Sequence, residues 1–338
     1  MYWVLEEAFE VLLVNAAHIK NVPGRKTDAQ DGSWIAQLLE CGLLRGSFVP
    51  PREIREVRDL TRYRKTLVQQ RTEEVLRLHG VLQRAGIKLS SVATNIMGVS
   101  GRAMLDAMVE GTKDAQAIAE LARGSLRGKI PLLRAALEGR FTQHHGVMVT
   151  HMLGHIDYLE ETIAELSREL ETRLEPFREQ IRLLKTIPGV QDRTAQMILG
   201  EVGADMSKFP TPGHLASWAG VCPGNNRSAE KRKPEKTRKG GRWLKPALVE
   251  ATWAAVREND SYLSAQYHRL VPHKGKKKAA TAVCHSMLIA VYYILKQNVP
   301  YCDLGADFFI RRNQEAIRRR CVRQLQQLGF EVQLQSAA

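Results

Sequence analysis

The sequence predicts an α/β plus α protein with four parts: a small α/β segment at residues 1–51, long charged helices at 52–183, a mainly α-helical part at 184–298 and a basic tail at 299–338. Three observations support this division. Two apolar runs of strand length lie in the first segment, and apolar residues recur every three or four positions through the second. In the third, apolar stretches of helical length alternate with Pro- and Gly-containing turns.

The composition is typical of a globular protein. Of 338 residues, 44% are hydrophobic and 25% are charged, which excludes a mostly disordered or collagen-like chain. The five cysteines form no Cys-x-x-Cys pair, so neither a disulfide framework nor a four-thiolate zinc site is expected. No signal-peptide pattern follows Met1, and the apolar run Ser286–Leu295 is shorter than the ~20 residues that cross a bilayer. We therefore expect a cytoplasmic protein without a membrane partner.

The charge balance indicates a polyanionic partner. Lys and Arg number 50 against 36 Asp and Glu, a net charge of +14. Such a surplus favours nucleic acid, because each neutralised phosphate releases bound counterions. The alternative is that the charge only keeps the protein soluble, and the distribution of the charge along the chain distinguishes the two.

The first 51 residues carry both helix and strand signals. Val4–Glu10 can form a helix, and Val11–Val14 is an apolar run of strand length. Thr27 or Asp28 can cap the next helix. Ser47–Val49 is the second short strand, and two such strands alone make a poor sheet.

Two apolar stripes predict a helical coiled-coil middle region. One lies within residues 52–86, and the other runs from Met152 to Leu184 at spacings of three and four residues. The second stripe has one stutter near Pro176, where the helix should kink or break. An intramolecular hairpin and self-association through the same seam both fit this pattern.

The C-terminal part begins with an apolar-Pro-Gly-apolar turn, Ile187–Val190, between two short helices. This pattern resembles the hairpin of helix-hairpin-helix modules, whose backbone N–H groups can meet a phosphate. A second glycine common after such turns is absent, so a plain packing corner is the stronger interpretation.

Half of the net charge lies in one loop. Residues 225–245 hold nine basic and two acidic side chains, a net charge of +7. The basic residues are Arg227, Lys231, Arg232, Lys233, Lys236, Arg238, Lys239, Arg242 and Lys245. A second basic run, Lys274 and Lys276–Lys278, follows, and Arg25 and Lys26 add charge in an earlier turn. Several basic segments favour nucleic acid over a general solubility role.

Two candidates for chemistry stand near these charges. Ser228 lies inside the basic loop, where its oxygen could attack a phosphodiester while cations stabilise the charge that develops. Asp28 and Asp31 are three positions apart on one predicted helix, as two carboxylates that share Mg²⁺ must be. By themselves both patterns have ordinary explanations, turn capping for the serine and helix capping for the aspartates.

Other catalytic patterns are weak. His144, His145, His151 and His155 are close in sequence, but no carboxylate or cysteine completes a metal set. No Walker A sequence is present, so a P-loop ATPase is not expected.

Taken together, the motifs resemble transposases of the insertion sequence 110 family (the 110/116/902 group). Resemblance to the first domain of that family is carried by Leu13–Ala16, Val22–Asp31 and Leu43–Pro50. Resemblance to its last domain is carried by Ile187–Val190, Leu215–Gly220, Pro223–Ser228 and Lys236–Gly240. The segments follow the family's order across essentially the whole chain.

The resemblance implies a site-specific DNA recombinase that moves its own element. It implies an RNase-H-like first domain whose acidic tetrad (Asp, Glu, Asp, Asp) holds Mg²⁺, and a last domain that supplies a serine nucleophile. By position, Asp28 and Asp31 match the third and fourth acidic residues, and Ser228 matches the serine. It further implies a homo-oligomer, a dimer or tetramer, and a structured guide RNA, encoded by the element, that pairs with donor and target DNA.

One departure from the family's pattern concerns the tetrad. Family members carry the Glu shortly before a Tyr-Trp pair and the first Asp on an earlier strand, whereas this chain begins Met1-Tyr2-Trp3. The sequence therefore predicts a transposase truncated at its N-terminus, with an incomplete metal site and weak or absent recombination. The alternative is a non-catalytic nucleic-acid-binding remnant.

Overall fold

The computed structural model describes residues 2–15, 28–44, 46–222, 227–228, 231–232 and 240–333. The protein is mostly helical. It divides into two compact units, one formed by residues 1–56 with 177–338 and the other by residues 57–176.

From the N-terminus, the helices before the basic loop are α1 (Tyr2–Leu5), α2 (Asp28–Glu40), α3 (Arg52–Arg84), α4 (Val99–Val109), α5 (Ala115–Glu120), α6 (Ile130–Leu137), α7 (Gln143–Leu174), α8 (Arg178–Leu184), α9 (Asp192–Val202) and α10 (Pro212–Trp218). Two short strands follow, β1 (Arg227–Ser228) and β2 (Lys231–Arg232). The last helices are α11 (Leu244–Ala255), α12 (Tyr262–Lys274), α13 (Lys276–Gln297), α14 (Phe308–Arg312) and α15 (Gln314–Gln327).

The α/β sheet predicted for residues 1–51 is not confirmed in the part of this segment that the structure describes. The two predicted strand segments do lie side by side, but they share a single antiparallel bridge, between Val14 and Gly46. Leu12 and Leu13 are 46% and 49% exposed, so this apolar run is not buried as a sheet strand would be. One bridge is too short to make a stable sheet. The helix predicted after position 27 is confirmed as α2.

A buried arginine fixes the start of α3 to the N-terminal segment. Arg55 pairs with the carboxylate of Glu6, with N···O distances of 2.5 and 2.8 Å. Its guanidinium also lies over the rings of Trp3 and Tyr2, 4.9 and 5.2 Å from their centroids. Because a buried guanidinium needs a charged or aromatic partner, Glu6 and the two rings have a structural role here.

The second unit contains the predicted pairing of the two long helices. Leu67 of α3 packs against Leu159 and Ile163 of α7, and Arg71 donates to Glu160 at 2.7 Å beside this cluster. The two stripes therefore meet within one chain, as the hairpin interpretation requires. Self-association through the same seam stays a prediction.

Residues 87–142, between the two long helices, form a helical subdomain that the periodicity did not predict. Helices α4, α5 and α6 enclose a core with the end of α3 and the start of α7. Arg102 of α4 makes a bidentate bond to Asp157 of α7 at 2.6 and 2.8 Å. This bond lowers the pKa of the Asp157 carboxyl, because the guanidinium stabilises its charged form.

The predicted break near Pro176 is confirmed. Helix α7 ends at Leu174, a 3₁₀ turn spans Glu175–Phe177, and α8 begins at Arg178. Proline lacks the N–H that would continue the helical hydrogen-bond pattern, so the stutter and the break coincide.

In the first unit, α8 to α13 build one large core around α13. Within the described residues, α13 alone has the length and apolar content of a membrane-spanning helix. More than half of its apolar window is buried within the protein. Burial of this kind is what the central helix of a folded core requires, because its neighbours cover it on several sides.

The predicted helix-hairpin-helix turn packs against α11. Ile187 and Val190 are each 1% exposed, and Gly189 has a φ of +78°. A Cβ on Gly189 would lie 2.2 Å from the carbonyl oxygen of Ala251, so this position needs glycine for close approach as well as for its backbone angle. These contacts favour the packing-corner interpretation, and a phosphate contact at this turn stays a prediction.

Candidate active site

The basic loop begins and ends at one fixed point of the C-terminal core. At its start, α10 is followed by Ala219 and by Gly220, which has a φ of +70°. At its end, Gly240 lies so close that a Cβ would stand 2.0 Å from the carbonyl oxygen of Ala219. Lys245 Nζ donates to the carbonyl oxygen of Gly220 at 3.2 Å. The residues that flank 223–239 are therefore held together by the close backbone approach of Gly240 to Ala219 and by one hydrogen bond from the Lys245 side chain.

Two antiparallel strands of two residues each lie within this segment, and one of them contains the candidate nucleophile. Strands β1 and β2 pair antiparallel, with Ser228 opposite Lys231 and Arg227 opposite Arg232. Partners in such a register lie about 5 Å apart at their Cβ atoms. The backbone register therefore brings the serine position next to a lysine position, and three cationic positions share its hairpin.

Arg242 is, with Lys245, one of the two described cations at the exit of the loop. It is exposed, and its guanidinium lies 5.5 Å from the ring centroid of Trp243. Several predicted nucleic-acid contacts fall outside the described residues: Arg25, Lys26, Lys233, Lys236, Arg238 and Lys239. For these six residues, a role in nucleic-acid binding stays a prediction.

An aromatic cluster links the N-terminal segment to the base of the loop. Phe48 lies 4.8 Å from Phe209 and 5.7 Å from Trp218, measured between ring centroids. Trp218 is the last residue of α10, directly before the Ala219–Gly220 contact with Gly240. The strand-like segment after α2 and the loop with Ser228 therefore share one packed connection within the first unit.

Asp28 and Asp31 both lie in the first turn of α2. Their side chains lie outside the part of the chain that the structure describes. Among the side chains that are described, no cluster of three or more His, Cys, Asp or Glu residues could hold a metal ion. Carboxylate oxygens at these two positions are the ligand type that Mg²⁺ prefers, but two of them leave most of an octahedral shell to waters or substrate.

Two of the histidines contact other side chains or the backbone in helical regions. His145 Nδ1 lies 3.2 Å from the N–H of Thr142 and caps the start of α7. His155 Nδ1 lies 3.7 Å from the carboxylate of Glu74, a contact that is charged only when the imidazole is protonated. His285 of α13 is half-buried, and this burial lowers its pKa because it disfavours the charged ring.

The second basic run lies at an exposed corner of the same core. Lys274 ends α12 and Lys276–Lys278 form the first turn of α13, and all four side chains are exposed. Positive charges at a helix N-terminus oppose the helix dipole. The described first turn of α13 contains no acidic residue to offset them. A polyanion at this corner would relieve the repulsion.

Sequence reasoning missed the contacts that hold the loop. From the sequence, Gly240 was only the end of a family segment and Lys245 only one more cation, because their partners lie about 20 residues away in sequence. The Gly240-Gly241 pair was the available signal, since adjacent glycines often mark a close backbone approach. Phe48 offered no signal, because its partners are more than 150 positions away.

Comparison with known proteins identifies the family. The model described as "Transposase IS116/IS110/IS902 family" matches residues 181–268, and a second transposase model, the DEDD type of IS110, matches residues 1–87. The chain is 35% identical over 118 residues to "Insertion element IS110 uncharacterized 43.6 kDa protein" of Streptomyces coelicolor (strain ATCC BAA-471 / A3(2) / M145). That match spans 34% of this chain and 28% of the relative's length. The chain belongs to the IS110/IS116/IS902 family of insertion-element transposases.

Proposed function

We propose that this chain is a DNA transposase in which Ser228 attacks a DNA phosphodiester. The attacking Oγ loses its proton and forms a Ser–O–P bond, while the bond from phosphorus to one deoxyribose oxygen breaks. That oxygen leaves as a hydroxyl after it takes up a proton. The observation that carries the proposal is the strand register, in which Ser228 is paired with Lys231 and this pair is next to a pair of arginine positions, Arg227 and Arg232.

The basic residues have two tasks in this reaction. Lys231, at the position paired with Ser228, would stabilise the negative charge that develops on the phosphoryl oxygens. Arg227 and Arg232 form the next pair, on the other face of the two strands, and would bind the DNA backbone. Arg242, outside the hairpin, would bind the DNA backbone and fix the register of the duplex. The fixed ends of the segment support this assignment, because a nucleophile on an untethered loop would lose much of its positioning advantage.

Divalent metal use is typical of DEDD transposases. We assign Asp28 and Asp31 of α2 as Mg²⁺ ligands, with waters and substrate phosphates completing the shell. When bound, the ion supplies charge neutralisation at the phosphate. The task of the two carboxylates is to hold it beside the substrate, and since two carboxylates hold Mg²⁺ weakly, we expect the reaction to be slow.

The proposed partners follow from the family and from the charge. DNA is the substrate, and the positive charge supplies the electrostatic part of its binding. A structured guide RNA encoded by the element and assembly as a dimer or tetramer complete the proposal. Both come from the family resemblance.

The lysine corner gives a test of the DNA-binding surface. Replacing Lys276, Lys277 and Lys278 by Gln is expected to weaken binding to duplex DNA and to reduce the slope of log K against log salt by about 2 to 3. The same change should raise the free energy of unfolding by about 1 kcal/mol, because it removes like charge from a helix N-terminus. Fluorescence anisotropy and urea unfolding measure the two effects. Weaker DNA binding together with lower stability would instead point to damage of the fold.

The proposed chemistry is tested by trapping its covalent product. The full chain is expressed with the DNA that encodes it and the DNA on either side, so that any RNA encoded there is present. Cells are lysed in SDS, and protein–DNA adducts and joined DNA molecules are measured. We expect an Mg²⁺-dependent adduct that forms slowly, and Asp28→Asn and Asp31→Asn should raise the Mg²⁺ concentration that purified complex needs for half of the maximal yield.

The second candidate function is nucleic-acid binding without catalysis. It is favoured by the small donor set, because two carboxylates rarely suffice to hold Mg²⁺. DNA that is bound in a salt-sensitive way, with neither adduct nor joined product, would overturn the catalytic proposal and establish this one.

A further inference from the structure

The chain after α13 is attached to the C-terminal core by specific contacts. The N–H of Tyr301 donates to Thr186 Oγ1 at 2.8 Å. The Asp303 carboxylate accepts from the N–H groups of Tyr262 and Gly305 at 2.9 and 2.7 Å. These bonds give the segment a fixed path up to α14.

Two aromatic contacts complete this attachment at α14. The ring of Phe309 stacks on Tyr262 of α12, with a centroid distance of 5.2 Å and an interplanar angle of 22°. The guanidinium of Arg269 covers Phe309, 4.3 Å from its centroid. The residues after Asn313 are therefore held at a defined place on the unit.

Helix α15 begins there and buries none of its described side chains. Val322 is half-buried and the others that the structure describes are exposed. A helix of this length is marginal in water when no tertiary packing supports it. A partner that contacts α15 would therefore stabilise it.

The charge on this segment indicates what that partner is. Six arginines and a single acidic residue, Glu315, lie between positions 311 and 323. Glu315 pairs with Arg318 and Arg319 at 2.9 and 3.0 Å. The side chains of Arg320 and Arg323 have no hydrogen bond or ion pair with any residue that the structure describes. They stand one turn apart, so they repel each other.

Three of the four arginines of α15 share one side of the helix. Arg319, Arg320 and Arg323 fall within about 100° of the circumference, together with Gln327. The opposite side carries Ile317, Cys321 and Leu325. We call the first set, with Gln327, the arginine face. Arg and Gln are the side chains that most often make paired hydrogen bonds to guanine and adenine.

We propose that α15 is a second DNA-binding element, which places its arginine face in the major groove of a DNA duplex. The chain carries a net charge of +14, so a second copy would be repelled by this face, whereas a polyanion is attracted. An α-helix is about 10–12 Å wide, which matches the major groove of B-form DNA. The deep, narrow major groove of A-form RNA does not admit a helix. This proposal rests on the DNA partner of the proposed function but not on the chemistry of Ser228.

The test compares two variants of equal charge. The first carries Arg320→Gln and Arg323→Gln, and the control carries Arg127→Gln and Arg257→Gln, two exposed arginines outside the proposed sites. Binding to a fluorescent DNA duplex and to an RNA duplex of the same sequence is measured over a range of salt concentrations. We expect the first variant to bind DNA about 10- to 100-fold more weakly, with a salt slope smaller by about 2, whereas the control and the RNA affinities change little. Amide exchange over residues 314–327 should slow when DNA is added to the unsubstituted chain.

The other possible outcomes of this experiment each decide for or against the proposal. Unchanged DNA binding, an equal loss in the control, or an equal loss on RNA would overturn the proposal. A change in sedimentation of the first variant without DNA, at an unchanged salt slope, would assign the helix to contact between copies and also overturn it. If the unsubstituted chain forms no covalent adduct but the arginine variant loses DNA affinity, the proposed chemistry fails and the helix assignment stands.

Discussion

Ser228→Ala is expected to abolish covalent adduct formation, with a loss on the order of 10⁴-fold or more. The physical reason is that no other atom of the site can form the Ser–O–P bond, and alanine keeps the local volume while it removes the oxygen. DNA affinity should change less than about twofold, because in the proposed site the cations of the loop make the contacts to phosphate. The measurement is adduct yield after SDS lysis, with DNA affinity determined separately.

Ser217→Ala is the matched control for this substitution. Ser217 is exposed on α10, close to the base of the same loop, and loses the same hydroxyl. Its adduct yield should equal that of the unsubstituted chain. Adduct formation by the Ser228→Ala chain at the original rate would assign the nucleophile elsewhere, and equal losses in both variants would attribute the effect to the fold.

Gly189→Ala is expected to destabilise the first unit by about 3 kcal/mol, the sum of left-handed backbone strain and overpacking. The φ of Gly189 is +78°, and the added methyl carbon would meet the backbone of Ala251 and Ala255 at 2.2 and 2.6 Å. Those atoms belong to α11, whose hydrogen bonds prevent it from moving aside. The Ile187–Val190 turn would have to leave the core instead.

Tryptophan fluorescence reports this effect on one unit alone. All five tryptophans, Trp3, Trp34, Trp218, Trp243 and Trp253, lie in the first unit. The urea midpoint of their fluorescence should fall in Gly189→Ala and stay nearly constant in Gly213→Ala. A Cβ on Gly213 would meet Thr211 Oγ1 at an ordinary 3.5 Å. If Gly189→Ala and the unsubstituted chain had the same urea midpoint, that result would contradict the close packing of the turn on α11.

Long helices could be predicted because their periodicity is local. The stripes of α3 and α7 and the break at Pro176 follow from residue spacing and from one missing N–H. The subdomain of residues 87–142 escaped prediction, since its helices are short and each buries only part of one face. Short elements carry too few residues to establish a period.

In the N-terminal segment, by contrast, the sequence predicted a sheet that the structure does not confirm. Val11–Val14 and Ser47–Val49 have the composition of strands, and they do come together at Val14 and Gly46. Composition could predict the two strand segments but not the length of their pairing, because that length depends on which further strands are available. The RNase-H-like sheet implied by the resemblance is therefore not confirmed in this segment.

The candidate site was also predicted from the sequence only in part. Ser228 and the surrounding cations were predicted from their residue types and from the family's motif order. The register of Ser228 with Lys231 was not, because the loop lacks an alternating apolar pattern. The link from Phe48 to Trp218 was equally out of reach, since aromatic contacts across most of the chain leave no local trace.

Because Gly240 lies against Ala219, the loop between them can change in length and sequence without a change in the core. Its two ends meet at a single point, and the core from α8 to α13 closes beneath them. The entropy cost of closing a loop rises only slowly with its length, about 0.6 kcal/mol for each doubling. The supporting fold therefore tolerates loops of other lengths and sequences between positions 222 and 240.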